Sequence, residues 1–151
     1  MDGMSCQPTS RTASLAHLEV FAAGHVVQIP AGIGFAPPLR QDGAYVRAGG
    51  CVYPIRTVEP TGLVLLAAGP IRKLGQFFDL WGQPLSRREV AGFRASAGQD
   101  VSVFINGMLW PESPDSAPIS PSAQITIEVG PYVPPHTRYT FPSLASVASM
   151  K

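Results

Sequence analysis

The sequence predicts an α+β fold, mainly β, in which an antiparallel sheet built from two similar hairpins and further strands is covered by one short helix. Three observations predict it: two apolar runs that each contain a turn dipeptide, one apolar stripe with helical spacing, and 16 prolines and 15 glycines spread over 151 residues. So many helix-breaking residues favour short segments joined by turns. A β-grasp-like arrangement and a small sandwich both fit this order of elements.

The two predicted hairpins have the same pattern. In "HLEVFAAGHVVQIP", apolar residues alternate with other residues on both sides of a turn at Ala23 and Gly24. In "DVSVFINGMLWP", Asn106 and Gly107 suit a type I′ turn because both residue types tolerate a positive φ. A single internal similarity of this kind indicates two similar hairpins in one domain. A repeat array would need three or more stacked units.

One helix and three further strands complete the predicted domain. Strands are expected at residues 51–57 and 63–67, and the helix in "KLGQFFDLWG". Its apolar residues fall at i, i+3, i+4 and i+7, which predicts one stripe facing the core, and a glycine follows to end the helix. These residues are Leu74, Phe77, Phe78 and Trp81, with Gly82 at the end. The last strand, "AQITIEVG", alternates as a half-buried strand does.

Composition predicts one globular domain at residues 15–130, with a flexible tether at 1–14 and a Pro-rich tail at 131–151. The chain is 45% hydrophobic and 14% charged, which argues against disorder. Lys and Arg number 11 against 10 Asp and Glu, so no basic surface for nucleic acid is indicated. No apolar run approaches the ~20 residues that span a bilayer. We therefore expect neither a nucleic-acid partner nor a membrane span.

The N-terminal stretch and the cysteines bear on location. "MDGMSCQPTSRTAS" contains no apolar signal segment, which predicts a cytoplasmic protein as the sequence is written. An exported or lipid-anchored protein is the alternative if the N-terminus has been trimmed, since a Ser/Thr/Pro-rich stretch follows Cys6. Two cysteines are too few for a disulfide framework, and Cys51 is interpreted as a small buried hydrophobe and not as a reactive thiol.

Five segments resemble a poorly characterised family of small, often exported bacterial proteins. They are "LAHLEVFAAG", "CVYPIRTVEPTGLVLLA", "KLGQFFDLWGQPLS", "VSVFINGM" and "ITIEVG". Members of that family read approximately "HAHLDVFVNG", "CLYWLHTHDTSGIIHIE", "TLGQFFDIWGQPLS", "VFVNGK" and "IVLEVG". The match covers most of residues 15–142, and the resemblance implies no settled activity.

The family pattern is rich in histidine, which makes its members candidate metal binders. His-x-His pairs on a strand put both imidazoles on one face at the spacing of metal ligands. This chain keeps one such histidine, His17. The residues at the other family positions are Leu15, Arg56, Val58, Leu65 and, in place of Asp, Glu59. Since Arg56 also puts a fixed positive charge there, we expect neither a metal nor a cofactor.

These replacements favour a pocket for a small organic ligand that carries an anionic or carbonyl oxygen. Arg56 supplies a planar fork of donors, and His17 with Glu19 can transfer a proton. The predicted polar or catalytic set is His17, Glu19, Arg56 and Glu59. The predicted apolar walls are Tyr53, Val58 and Leu65.

Three functions of different classes stay open. They are a small-molecule-binding domain, a cofactor-independent cyclase, isomerase or lyase that acts in the same pocket, and a degenerate structural or interaction module. The site residues also fit a structural interpretation. Arg56 and Glu59 would then be a solvated, salt-bridged turn, His17 and Glu19 the wet face of a strand, and His136 an ordinary tail residue.

Overall fold

A computed structural model of the protein describes residues 1–148. The strands of the first half are β1 Thr12–Ala22, β2 His25–Val27, β3 Phe35–Ala36, β4 Arg40–Asp42, β5 Tyr45–Ala48, β6 Cys51–Val52, β7 Ile55–Arg56 and β8 Leu63–Ala67. Those of the second half are β9 Arg72–Lys73, β10 Glu89–Val90, β11 Phe93–Arg94, β12 Ser102–Ile105, β13 Met108–Leu109, β14 Pro118–Ile119 and β15 Gln124–Val129. The helices are α1 Leu74–Trp81 and α2 Leu144–Ala148, and a 3₁₀ turn spans Pro114–Ser116.

The main sheet has seven strands in the described residues. Its order is β13-β12-β15-β1-β8-β7, and β2 pairs with β1 beside this path. The other strands form two-stranded sheets: β3 with β6, β4 with β5, β9 with β14 and β10 with β11. The α+β, mainly β class with an antiparallel-dominated sheet is thus confirmed, although β1 and β15 run parallel. No helix among residues 1–148 is long and apolar enough to cross a membrane.

Both predicted hairpins and the predicted strand 63–67 are present. Ala23 and Gly24 have φ values of 52° and 79°, and Asn106 and Gly107 have 53° and 83°. Positive φ at both central residues is the geometry of a type I′ turn, whose twist matches that of the flanking strands. The turn dipeptides therefore set the register of β1 with β2 and of β12 with β13.

Helix α1 covers the first face of the main sheet. Leu74, Phe77 and Phe78 are buried and Trp81 is half-buried, as the apolar stripe predicts. Gly82 ends the helix in the left-handed conformation, with φ of 76°. The first-face residues of the sheet that pack in the same core include Ala16, Leu18, Val20, Val64, Leu66, Val103, Ile125 and Ile127.

The C-terminal segment covers part of the second face, so the expectation that β15 is half-buried is wrong. All six residues of β15 are buried. Side chains from the predicted tail, including Tyr139, Phe141 and Val147, pack in a second core. Its other members are Leu15, Phe35, Val58, Leu63 and Leu65. The predicted tail is thus packed on the sheet; its residues 149–151 lie outside the described residues.

The N-terminal segment, expected to be a flexible tether over residues 1–14, is attached to the domain. Met4 is buried in the first core, and β1 already begins at Thr12. Cys6 forms a disulfide with Cys51, with their Cα atoms 5.4 Å apart. The interpretation of Cys51 as a small buried hydrophobe is therefore wrong. The partner lies 45 residues away, a distance that no local pattern can reveal.

Candidate functional site

Arg56 and His17 lie on the second face of the main sheet. Arg56 pairs with Leu65 across β7 and β8, and Leu65 pairs with Leu15 across β8 and β1. Residues directly opposite each other in antiparallel strands project to the same face, as do residues two apart on one strand. Arg56, Leu65, Leu15 and His17 therefore share a face, with His17 two residues further along β1 than Leu15.

Arg56 is a buried cation that has no carboxylate partner among residues 1–148. Only 2% of the residue is exposed. Its Nη2 donates to the carbonyl oxygen of Ser10 over 2.6 Å and to Oγ1 of Thr12 over 2.9 Å. Its Nη1 is buried without a hydrogen-bond partner among residues 1–148, and no salt bridge within that range involves Arg56. The interpretation of Arg56 and Glu59 as a solvated, salt-bridged turn is therefore wrong.

The surroundings of Arg56 disfavour its charge. Burial lowers the pKa of the Arg56 guanidinium, because taking the charged form out of water is unfavourable. An arginine nevertheless stays protonated at neutral pH. A buried donor that lacks an acceptor costs about 1–3 kcal/mol, and more when it is charged. An oxygen acceptor placed at Nη1 would remove this cost.

Arg56 lines a partly enclosed cleft of about 160 Å³, which we name the Arg56 cleft. Its other lining residues are Pro8, Thr9, Ser10, Phe35, Arg47, Ala48, Gly49 and Val52. Most of its surface is apolar. Arg47 brings a second guanidinium, which is exposed and lies 3.0 Å from the carboxylate of Asp42. The cleft thus combines mostly apolar walls with an arginine whose buried Nη1 has no hydrogen-bond partner among residues 1–148.

A glycine allows the loop before β3 to pack against Arg56. Gly34 has φ of 85°, which is the left-handed region. A Cβ at this position would collide with the carbonyl oxygen of Ile55 and lie 2.9 Å from Cβ of Arg56. Glycine is the residue that meets both requirements, since it has no Cβ and adopts positive φ without strain.

Residues 8–10 form one wall of the Arg56 cleft, and the segment that contains them, residues 6–10, is attached at both ends. At one end, Cys6 is bonded to Cys51, and the backbones of Gln7 and Val52 exchange hydrogen bonds of 2.8 and 2.7 Å. At the other end, the Ser10 carbonyl oxygen accepts from Arg56 just before β1 begins. One covalent bond and these hydrogen bonds thus attach the wall to the domain.

His17 is buried under the C-terminal segment, so its interpretation as part of a wet strand face is wrong. It is 6% exposed, and its ring stacks on Tyr139 with centroids 3.7 Å apart and planes 7° from parallel. Its Nε2 donates to the carbonyl oxygen of Thr61 over 3.0 Å, and its Nδ1 lies 2.7 Å from Oε1 of Gln124. Both ring nitrogens thus face oxygen atoms.

Glu19 meets solvent beside His17. Its Oε1 accepts from Nε2 of Gln124 and from Nδ1 of His136, both over 2.7 Å. The Glu19 side chain is 21% exposed. His136, interpreted as an ordinary tail residue, therefore has a specific partner. An amide separates His17 from Glu19, so the titratable pair facing solvent is Glu19 with His136.

This pair lines an open cleft of about 370 Å³, which we name the Glu19 cleft. Its lining residues are His17, Glu19, Gln124, His136, Arg138, Tyr139 and Thr140. The Glu19 cleft and the Arg56 cleft share no lining residue among residues 1–148. The second core joins them, because Phe35 lines one cleft, Tyr139 lines the other, and both pack in that core. The expected single concavity is thus divided into two.

The remaining predicted site residues line neither cleft. Val58 and Leu65 are fully buried in the second core. Tyr53 packs against the first core, on the other side of the sheet. Glu59 is half-buried in the loop between β7 and β8. These side chains support the sheet from which Arg56 projects and do not contact the open space beside it.

Sequence reasoning missed the hydrogen-bond partners of both predicted side chains. Ser10 and Thr12 lie 46 and 44 residues from Arg56, and Gln124 lies 107 residues from His17. No spacing rule connects residues at such separations. The sequence shows that positions 17 and 56 carry polar side chains. It does not show which residues surround these side chains in the fold.

No cluster of three or more His, Cys, Asp or Glu side chains in residues 1–148 is arranged to hold a metal ion. No known protein family, curated protein or solved structure matches the chain. The resemblance to a histidine-rich bacterial family therefore stays a prediction. The function has to be argued from the two clefts.

Proposed function

We propose that the protein is a small-molecule-binding domain whose ligand is an organic anion held in the Arg56 cleft. The observation that carries this proposal is the buried Nη1 of Arg56, which has no hydrogen-bond partner in the part of the chain that the structure describes. Guanidinium groups form strong, charge-assisted hydrogen bonds with carboxylates and similar oxygens. Small-molecule sites commonly combine mostly apolar walls with a few placed polar groups.

The cleft favours a compact ligand with one negative group. Its volume is about 160 Å³, and Phe35 and Val52 provide apolar wall. Nη2 of Arg56 already donates to Ser10 and Thr12, so the Nη1 end is the one left for a ligand. Arg47 lines the same cleft and adds to the positive potential there. A short-chain or aromatic monocarboxylate has these properties.

The proposal is tested with pairs of ligands of nearly the same shape, of which one is an anion and the other a neutral amide. Benzoate is compared with benzamide and butyrate with butyramide, by isothermal titration calorimetry and by NMR. We expect a carboxylate to bind with Kd of roughly 1 mM or lower, equivalent to about −4 kcal/mol. The amides should bind about tenfold more weakly or not at all, because they lack the charge that Arg56 recognises.

Three arginine variants show whether binding depends on Arg56. Arg56→Met removes the guanidinium and should abolish carboxylate binding, while Arg56→Lys keeps the charge without the planar donors and should weaken it. Arg94→Met is the matched control, since Arg94 is exposed on β11 outside the Arg56 cleft. Equal binding of acid and amide, or unchanged binding by Arg56→Met, would overturn the proposal. The structural or interaction module would then be the better interpretation.

A second candidate function is cofactor-independent proton transfer in the Glu19 cleft. The observation that favours it is the placement of the Glu19 carboxylate, which accepts from both Gln124 and His136 while staying partly exposed. A general base needs such fixed orientation next to its substrate. Proton exchange at carbon next to a carbonyl, followed by NMR in D₂O over a panel of small ketones, tests it. Glu19→Gln should abolish any catalysed exchange, and a panel without catalysed exchange would contradict it.

We also propose that the protein works in an oxidising compartment outside the cytosol, which corresponds to the exported alternative of the sequence analysis. The disulfide between Cys6 and Cys51 supports this, because such bonds persist outside the reducing cytosol. The protein isolated from its native host without reductant should show no maleimide-reactive thiol after denaturation. Two labelled cysteines would contradict the proposal and favour the cytoplasmic alternative.

A further inference from the structure

We infer that the Cys6–Cys51 disulfide controls ligand binding in the Arg56 cleft, so that the oxidised protein holds its ligand and reduction by a dithiol releases it. This inference rests on the proposed function, because it concerns the regulation of the same site. It is carried by the position of the disulfide, which links two walls of the cleft.

The first wall follows Cys6 directly. Pro8, Thr9 and Ser10 line the cleft, and the Ser10 carbonyl oxygen accepts from Nη2 of Arg56 over 2.6 Å. This wall therefore contributes lining surface and also fixes the orientation of the cation. Displacement of residues 7–10 would open the cleft and leave the guanidinium without its shortest hydrogen bond.

The second wall adjoins Cys51. Val52 follows Cys51 on β6 and lines the cleft, and it pairs with Phe35 of β3, which lines the cleft as well. The bond from Cys6 to Cys51 thus links the N-terminal wall to the β3–β6 wall. It closes a chain separation of 45 residues, so breaking it restores considerable conformational freedom to the N-terminal segment.

Weaker contacts hold the N-terminal wall once the bond is broken. They include the two backbone hydrogen bonds between Gln7 and Val52 and the burial of Met4 in the first core. Exposed segments outside the core open more readily than the core of a protein. The reduced protein therefore keeps its fold, while residues 7–10 leave the cleft more often.

The reduction is ordinary thiol–disulfide exchange. Cys6 and Cys51 are both partly exposed, so a small thiolate can reach a sulfur atom. The thiolate of a dithiol attacks one sulfur, forms a mixed disulfide and expels the other cysteine as a thiolate. The second thiol of the reductant then displaces the first cysteine, which closes a cyclic disulfide. The dithiol loses two electrons and two protons in this exchange. The two cysteines gain them and become thiols.

The test uses benzoate as the probe and the full chain in both redox states. Calorimetry should show that reduction with dithiothreitol weakens benzoate binding by about tenfold or more, because the ligand loses one preorganised wall. The Cys6→Ser/Cys51→Ser variant should match the reduced protein without any reductant. Reoxidation of the same wild-type sample should restore binding, which excludes irreversible damage.

Hydrogen exchange supplies a readout that does not depend on the ligand. The Gln7 and Val52 amides should exchange about tenfold faster or more after reduction, whereas the Phe78 amide in α1 should keep its protection. If the double serine variant fails to fold, the reversible reduction of the wild type provides the same comparison, with Phe78 protection as the check on folding.

The outcomes separate the inference from the proposed function. Weaker binding together with faster Gln7 exchange supports both. Equal benzoate affinity in the two redox states overturns the redox control and leaves anion binding standing. Absence of binding in both states overturns the proposed function and, with it, the inference that depends on it.

Discussion

Nη2 of Arg56 donates to the carbonyl oxygen of Ser10 over 2.6 Å, which joins a buried strand residue to a segment that precedes the sheet. The two residues are 46 positions apart in the chain. The contact satisfies one end of the guanidinium, whereas the other end, Nη1, is buried and has no hydrogen-bond partner among residues 1–148. The two ends of the same guanidinium thus differ in their hydrogen bonding.

Arg56→Met should change the stability of the ligand-free protein little. The variant removes a buried charge that no carboxylate in residues 1–148 offsets, but it also removes the hydrogen bonds that Arg56 donates to Ser10 and Thr12. These effects oppose each other, so we expect the free energy of unfolding to stay within about 1 kcal/mol of the wild type. Urea unfolding followed by circular dichroism measures it. A loss above about 3 kcal/mol would show that Arg56 is chiefly structural.

Benzoate at one hundred times its Kd should stabilise the wild type by about 2.7 kcal/mol and leave Arg56→Met unaffected. A ligand that binds only the folded state shifts unfolding by mass action, so this measurement depends on the site. The same urea titration with and without benzoate provides it, and Arg94→Met should respond as the wild type does.

Phe78→Ala should lower the free energy of unfolding by about 3–5 kcal/mol, because it deletes an aromatic ring from a packed core. Phe78 is 1% exposed and lies in the first core under the sheet. Ile71→Ala is the control: Ile71 is 53% exposed. Ile71→Ala should lower the free energy of unfolding by no more than about 0.5 kcal/mol. A Phe78→Ala loss below about 1 kcal/mol would contradict the packing of α1 described above.

Replacing both cysteines by serine should lower the free energy of unfolding by about 2–4 kcal/mol. The physical reason is that the bond between Cys6 and Cys51 restricts the unfolded chain over a separation of 45 residues. Chemical unfolding of the oxidised wild type and of the double variant gives the difference. Equal midpoints and slopes would indicate that the N-terminal segment contributes nothing to the stability of the fold.

Glu128→Gln should stabilise the protein at neutral pH relative to the wild type. Glu128 is 4% exposed, its Oε1 accepts from the Val133 amide over 3.0 Å, and its Oε2 has no partner in residues 1–148. Burial raises the pKa of Glu128, and the Val133 hydrogen bond opposes this in part. Because the pKa of Glu128 is higher in the folded state, the Glu128 side chain stabilises the fold fully at pH values below its unfolded-state pKa. This stabilisation is lost as the pH rises through its folded-state pKa.

Melting temperatures of wild type and Glu128→Gln should therefore diverge as the pH rises above 4.5, the ordinary value for this carboxyl. We expect the variant to melt about 2 °C higher at pH 7. Glu112→Gln, at an exposed position, is the control and should follow the wild type at every pH. Parallel curves for all three proteins would contradict the assignment of a buried, weakly partnered carboxyl to Glu128.

Zinc and copper should leave the melting temperature unchanged, and dialysed protein should contain no stoichiometric transition metal. The positions where the resembling family has histidine hold Leu15, Arg56, Val58 and Leu65, of which none is a metal ligand. Elemental analysis after dialysis and thermal denaturation with added metal check this. Near one-to-one metal content would contradict it.

Local patterns predicted the elements that depend on neighbouring residues. The i, i+3, i+4, i+7 stripe predicted α1, and Ala23-Gly24 and Asn106-Gly107 predicted the two hairpin turns, because backbone conformation at such positions follows from residue type. The alternation in β15 was read correctly as a strand but wrongly as half-buried. Its second face is covered by chain elements that the strand's own sequence does not specify.

The sequence predicts Arg56 as an anion-binding group and His17 with Glu19 as a proton-transfer pair, and both roles stay predictions. The sequence does not predict that these residues line two separate clefts. Nor did the sequence indicate that Gln124 and His136 would contact Glu19 from positions 105 and 117 residues away.

The sequence by itself thus determined α1, the two hairpins, strands β8 and β15, and the presence of a few polar side chains within apolar strands. The tertiary structure alone decided that β1 and β15 run parallel, that Cys6 reaches Cys51, and that Arg56 is buried with no carboxylate partner among the residues the structure describes. The reason is physical: turns and periodicity arise from interactions between residues a few positions apart. Burial and partners arise from contacts between distant segments, which form only when the cooperative packing of the whole chain offsets the entropy of bringing them together.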